Sequence, residues 1–187
     1  MINAAIAATF AFAGVRTALH GGPAAWILGA FQLAVALAFL LREPERHAAP
    51  WPALAGALPS LAASGLVLAV GGPTPWSPVA TTLLALGAAI ATLGLFSLGR
   101  SFAVLPGVRT LRTAGLYRWV RHPVYLGETL ILVGAATRLG LWGVGCVFGV
   151  LPLLAWRILL EERLLSAELG WADWVARVRW RLLPGVW

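Results

Sequence analysis

Lysine is absent: all fourteen positions that could hold lysine or arginine hold arginine. That fits a codon-composition bias of a high-GC bacterial source, with arginine serving where lysine could. Charge is scarce altogether. Only 11% of the 187 residues are charged and 60% are hydrophobic, against roughly 25% charged in an average soluble domain. With a mean hydropathy of +0.84, this excludes a soluble globular protein and places the chain among integral membrane proteins. Cysteine is nearly missing. Cys146 stands alone in an apolar segment, which excludes a disulfide framework and a cysteine-type metal cluster and leaves the redox compartment open. No metal site is expected. The first apolar run, Met1 to Leu19, lacks a preceding basic region and a convincing cleavage site, so a retained first helix is expected. No internal repeat is evident, and an inverted-repeat transporter is therefore not indicated.

What charge there is sums to +7. Nucleic acid is not the expected partner, because the arginines are spread over loops flanking apolar segments and form no free basic domain. Anionic lipid headgroups and an anionic group on a ligand fit better.

Apolar runs of bilayer-crossing length, about 20 residues, use up most of the chain. They cover Ile2 to Leu19, Ala24 to Leu41, Leu54 to Val70 and Val79 to Leu98. Two more follow Pro123, broken near Arg138-Leu139-Gly140 and resuming from Trp142 to Leu160. The expected fold is an all-α polytopic membrane protein of about six transmembrane helices, the last two a helical hairpin. Glu161 to Arg181 has helical amphipathic spacing and reads as a helix lying on the membrane surface. Residues 1–98 would supply four helices and residues 99–187 the core of the site, in one structural domain. With six spans, the arginines of the loop at Arg42 and Arg46, of the connection from Arg100 to Arg121 and of the tail share one side. Only Arg16 and Arg138 fall on the other, which puts both termini in the cytoplasm. The expected location is a bacterial inner membrane.

One polar stretch stands out from this background, Gly115 to Glu128. It gathers Arg118, Arg121, His122, Tyr125 and Glu128 into a few turns. Ionisable residues at a bilayer are costly and mark a functional site by default. Pro123 suits the first position of a helix, and it biases His122 away from helical geometry. Arg121 and His122 would then sit at a helix N-terminus, where free N–H groups favour an anion. Gly127 would leave room for a flat group or a neighbouring backbone. The hairpin returns Glu161-Glu162-Arg163 to the same membrane edge. Imidazole, phenol, guanidinium and paired carboxylates together suit a zwitterionic, hydroxylated ligand with a planar base.

Several separated elements, in order, resemble the isoprenylcysteine carboxyl methyltransferases and their relatives, which include the phospholipid N-methyltransferases. They are Gly99-Arg100-Ser101-Phe102, Thr113-x-Gly115-x-Tyr117-x-x-x-Arg121-His122-Pro123-x-Tyr125-x-Gly127, Glu161-Glu162, and Trp171-x-x-Trp174-x-x-Arg177 followed by Leu183-Pro184. The resemblance covers about half the chain, Gly94 to Pro184. It implies S-adenosylmethionine as cofactor, taken from the cytosol and bound by His122, Tyr125, Glu161 and Glu162, with Gly99, Tyr117, Arg121 and Gly127 supporting. It implies a lipid or prenylated small-molecule acceptor entering from the bilayer. Trp171 and Trp174 stand where the family usually has tyrosines, Arg179 where a proline is expected, and Glu128 where a bulky apolar residue is common.

Methyl transfer from a sulfonium needs alignment and a desolvated nucleophile, and no metal. A carboxylate acceptor needs an arginine to hold it, for which Arg157, Arg163 and Arg177 are candidates. An amine acceptor needs a proton remover, and Glu128 or His122 could serve. Arg179 and Arg181 fit headgroup anchors as well as site groups. Two other functions remain open at this point. Sterol reductases carry a similar Arg-His-Pro-x-Tyr and use NADPH, and a non-enzymatic scaffold or transport subunit would leave the polar cluster without a purpose.

Overall fold

The computed structural model describes residues 2–41, 59, 62–63, 75–99 and 111–187. The expected loop from Arg42 to His47, the apolar segment from Leu54 to Val70, most of the turn before Trp76, and Arg100 and Arg109 lie outside the described residues.

Within them the chain is helical, with no strand. Helix α1 spans Ile2–Leu19 and α2 spans Pro23–Leu41. Between them Gly21 and Gly22 adopt φ of 75° and 85°, a region glycine enters without steric cost, and Pro23 opens α2 where its missing N–H costs nothing. Helix α3, Pro78–Leu98, starts on Ser77, whose Oγ accepts the Ala80 N–H, a capping bond that satisfies an otherwise orphaned donor. Helix α4 spans Pro123–Ala136, a 3-10 turn covers Thr137–Leu139, and α5 spans Leu141–Leu165. The expected hairpin is present, turned by Gly140 at φ 58°.

Among the described residues three helices, α2, α3 and α5, are long and apolar enough to cross a membrane. Helix α4 has 14 residues, or about 21 Å of rise, short of a hydrocarbon core of about 30 Å. Large apolar side chains such as Trp26, Leu93, Trp142 and Phe148 are exposed on the outside of the bundle, as a lipid-facing surface requires.

Helix α1 packs on α2, α2 on α3, α3 on α4 and α4 on α5. The α3–α4 seam is built from small residues that bring two backbones together, the usual solution where lipid removes the hydrophobic drive between helices. A Cβ added to Gly87 would lie 2.6 Å from the Gly127 carbonyl oxygen, and one on Gly94 would lie 2.9 Å from Val124 Cγ2. These pairings run antiparallel and carry the N-terminus of α4 to the C-terminal end of α3. Ala7, Val35, Phe39 and Leu95 form a core cluster at the same end, against which Leu98 and Val124 pack. At the opposite end Trp76 packs near Ala24 and Leu84, and the Arg138 guanidinium lies 4.5 Å over its ring.

The C-terminal region differs from the single surface helix expected over Glu161 to Arg181. Helix α5 continues to Leu165, a turn follows, Gly170 takes φ 81°, and a short α6 covers only Trp171–Arg177. The reason is packing. Trp174 and Val178 are buried against Tyr117, which bends the chain back over the bundle end.

Candidate active site

The approach to the site is folded by its aromatic residues. A 3-10 turn at Gly115–Arg118 starts on Gly115 at φ 62°, where a Cβ would collide with Ser97 Oγ. Tyr117 drops into the cluster with Trp174 and Val178, and Trp174 Nε1 donates to the Tyr117 carbonyl at 3.1 Å. This docks α6 onto the segment leading into α4. His122 then caps α4 with φ −130°, and Pro123 follows as the first helical residue, as the restricted geometry before proline dictates.

Glu162 is the hub. Its Oε1 accepts from Arg121 Nη1 at 2.9 Å and His122 Nε2 at 3.2 Å, and its Oε2 accepts from Arg181 Nε at 2.9 Å. Arg121 is fully employed: Nε donates to the Val178 carbonyl at 2.8 Å and Nη2 to the Arg179 carbonyl at 2.7 Å. The backbone N–H groups of Arg121 and His122 donate to the Trp180 and Arg181 carbonyls, each at 2.9 Å. The expectation of free N–H groups awaiting an anion is thus corrected at these two residues, because residues 178–181 run alongside and take both donors. Beyond them the tail curls, so that the Arg181 guanidinium lies 5.3 Å from the Trp187 ring centroid and Leu182 and Trp187 pack on Tyr125, Leu154 and Ile158.

A second polar layer lies below this hub. Tyr125 is buried, its ring 5.5 Å from that of His122, and its hydroxyl donates to Glu161 Oε2 at 2.5 Å. A third layer lies deeper still. Arg157 places its guanidinium 4.7 Å over the Tyr125 ring and donates to Glu128 Oε2 at 3.4 Å. Arg157 precedes Glu162 by five residues on α5, a rise of about 7.5 Å. The polar groups thus descend from the membrane face along the α4–α5 interface.

The structure brings together Arg121, His122, Tyr125, Glu128, Arg157, Glu161 and Glu162. Other expected site residues lie elsewhere. Gly127 is spent on the contact with α3, where an added Cβ would lie 2.6 Å from the Ala91 nitrogen; of the two uses its small size allowed, this is the neighbouring backbone. Tyr117 belongs to the α6 docking cluster. Gly99 closes α3 at φ 56°, its N–H bonded back to Leu95 and Phe96 carbonyls. Arg163 and Arg177 are exposed, and Arg177 Nε bonds the Asp173 carbonyl. Arg181 is a member of the site that sequence reasoning left undecided; it belongs there through the bond of its Nε to Glu162 Oε2.

Among the described residues no group of histidine, cysteine, aspartate and glutamate could hold a metal ion. The donor set does fit a nucleoside-linked amino acid. Glu161 and Glu162 offer acceptors for hydroxyls or an ammonium, Arg181 and His122 offer partners for a carboxylate, and the Tyr125, His122 and Trp187 rings offer flat surfaces. These are carboxylates and cations in one cluster, with aromatic faces beside them.

A family model described as phospholipid methyltransferase matches residues 76–170. The solved structure of a eukaryotic intramembrane Ras methyltransferase, isoprenylcysteine carboxyl methyltransferase, is similar with a TM-score of 0.55 and 20% identity, over 99% of this chain and 76% of that one. No curated protein matches the chain by sequence. The structural likeness carries the all-helical membrane fold, and the family model covers α3, α4, α5 and the segment leading into α4.

Proposed function

The chain belongs to the phospholipid methyltransferase family and is a membrane methyltransferase for a lipid-like acceptor, and from that premise we propose that its methyl donor is S-adenosylmethionine, held by His122, Tyr125, Glu161 and Glu162. The observation that carries this reading is the convergence of these four residues. The α4–α5 hairpin brings the His122–Glu162 and Tyr125–Glu161 bonds, at 3.2 and 2.5 Å, into one cluster. Two sequence segments forty residues apart thus place imidazole, phenol and two carboxylates in contact.

The cofactor supplies a methyl group on a sulfonium. The chain's own groups do the rest. Glu161 and the Tyr125 hydroxyl offer hydrogen bonds to ribose hydroxyls or the amino group, and the Arg181 guanidinium offsets the charge of a carboxylate. Arg121 acts as a positioning residue, because it ties Glu162 to the 178–181 strap. Trp187 and Leu182 close the Tyr125 wall against water, which a reaction between a cation and a neutral or anionic nucleophile requires.

The acceptor is a carboxylate of a prenylcysteine-like lipid or another small lipid, thiol or amine, approaching from the bilayer along the α4–α5 interface. Residues 99–187 form the cofactor core within one structural domain, with the helices of residues 1–98 as its frame. The arginine-rich loops support a cytoplasmic orientation of the site end and of both termini, and the arginine-for-lysine usage supports a bacterial inner membrane as the location.

Calorimetric titration of the detergent-purified chain with S-adenosylhomocysteine and, separately, NADPH tests the cofactor. Saturable binding of S-adenosylhomocysteine, weakened about tenfold or more by Glu161→Gln through loss of a charge-assisted bond, is expected. Binding of NADPH with none of S-adenosylhomocysteine would return the reductase reading.

A further inference from the structure

The end of the molecule that carries the site is basic on its outside as well as within. Residues 111–121 and 171–187 hold six arginines against one acidic residue, Asp173. Arg121 and Arg181 turn inward to Glu162. The other four, Arg112, Arg118, Arg177 and Arg179, are exposed. Among the described residues the side chains of Arg118 and Arg179 have no hydrogen bond or ion pair.

Packing gathers these groups on one face. Leu111, Tyr117, Trp174 and Val178 share a cluster, so the segment leading into α4 lies against α6 and the residues that follow it. Arg121 clamps residues 178–181 from within, its guanidinium taking the Val178 and Arg179 carbonyls and its N–H the Trp180 carbonyl. With Val178 buried, the Arg179 side chain is left outside. Two indoles stand on the same outer face, Trp119 with 71% and Trp180 with 37% of their surface exposed.

The level of this face is that of a membrane surface. A Cβ on Gly115, three residues before Arg118, would collide with Ser97 in the last turn of α3, and α3 is a helix of bilayer-crossing length that ends at Leu98. A soluble anion needs only the guanidiniums. Arginine beside exposed indole, where a spanning helix ends, matches phospholipid: guanidinium for the phosphate, indole for the glycerol and the upper part of the acyl chains.

We propose that the outer face formed by Arg118, Trp119, Arg177, Arg179 and Trp180 is a docking surface for anionic phospholipid headgroups of the adjoining leaflet. It is separate from the inward cluster around Glu162 and stands independently of the methyl donor. Arg177 lies one turn after Asp173, whose carbonyl its Nε bonds, so Arg118 and Arg179 carry the preference for negative charge. Residues 178–181 are then held from both sides, by Arg121 within and by lipid without.

The test titrates dihexanoyl phosphatidylglycerol, dihexanoyl phosphatidylcholine and glycerol 1-phosphate calorimetrically into the full chain in a neutral maltoside detergent. The phosphatidylglycerol is expected to bind saturably and about tenfold or more tighter than either other probe, the effect of two arginines on one anionic headgroup. Arg118→Gln/Arg179→Gln is expected to remove that preference with an unchanged unfolding midpoint. Arg16→Gln, an exposed arginine toward the far end of α1, is expected to keep it. In the unaltered chain about 0.5 M sodium chloride, which screens exposed charges over a few ångströms, is expected to erase it, and this arm decides the matter if the double variant is unstable. Phosphatidylcholine binding as tightly as phosphatidylglycerol would overturn the proposal, as would a preference that survives in a folded double variant or in salt. Equal binding of glycerol 1-phosphate would make the face a site for a free phosphate, and an equal loss in Arg16→Gln would reduce the effect to net charge; either result contradicts a lipid surface.

Discussion

At the scale of single residues, Arg121 does more structural work than binding work, because it ties Glu162 to the strap of residues 178–181. A mostly buried ion pair stripped of one partner costs about 3–5 kcal/mol, because the remaining charge has no solvent. Arg121→Met is therefore expected to lower the thermal unfolding midpoint in detergent markedly. Tyr125→Phe removes one hydroxyl and is expected to cost about 1.5–3 kcal/mol of cofactor affinity, read as a weaker S-adenosylhomocysteine constant, with little change in unfolding midpoint. Residue chemistry was legible where charge was scarce: His122, Tyr125, Glu161 and Glu162 were evident as a group because so few other ionisable residues compete with them. Arg121 was harder to read. An arginine beside a helix start looks the same whether it waits for an anion or is held by the carbonyls of Val178 and Arg179, and those carbonyls lie 57 and 58 residues away.

At the scale of elements, α4 carries the architecture on two faces. One is smooth and meets α3 through Gly127 and Gly134; the other is polar at its start and apolar below, and meets α5. Overpacking a close backbone contact costs about 1–3 kcal/mol, so Gly127→Ala is expected to destabilise the chain by that amount. Gly145→Ala on α5, where an added Cβ meets nothing within 4 Å, is expected to be neutral or slightly stabilising. Chemical or thermal unfolding of the two variants side by side checks the contrast. The hairpin was legible from its turn residues, Arg138-Leu139-Gly140. The C-terminal end was less so: Leu164, Leu165, Leu169, Trp171 and Trp174 keep helical spacing across Gly170, and periodicity alone does not reveal that Trp174 turns inward to Tyr117 instead of outward to lipid.

At the scale of the whole molecule, the fold is a membrane bundle that gathers most of its described ionisable groups at one end. Hydropathy made the spans α2, α3 and α5 legible because lipid leaves helices little choice; it did not foresee that α4 would be only 14 residues long, since its apolar pattern runs on through the 3-10 turn. Topology follows from the arginines. With Cys146 replaced by alanine, a cysteine at exposed Leu169 is expected to react with an impermeant maleimide only from the cytoplasmic side. One at exposed Leu141 should react only from the opposite side. The reverse pattern would invert the orientation.

The central claim is that this chain moves a methyl group from S-adenosylmethionine to a lipid through the Tyr125–Glu161 and His122–Glu162 cluster. Reconstituted in bilayers of total bacterial lipid with methyl-tritiated S-adenosylmethionine, it should pass tritium into the chloroform-soluble fraction. Glu161→Gln with Tyr125→Phe should reduce that transfer about a hundredfold through the loss of both partners of the bond. Undiminished transfer by the double variant, or no transfer by an unaltered chain that binds S-adenosylhomocysteine when its lipid is varied, would contradict the claim.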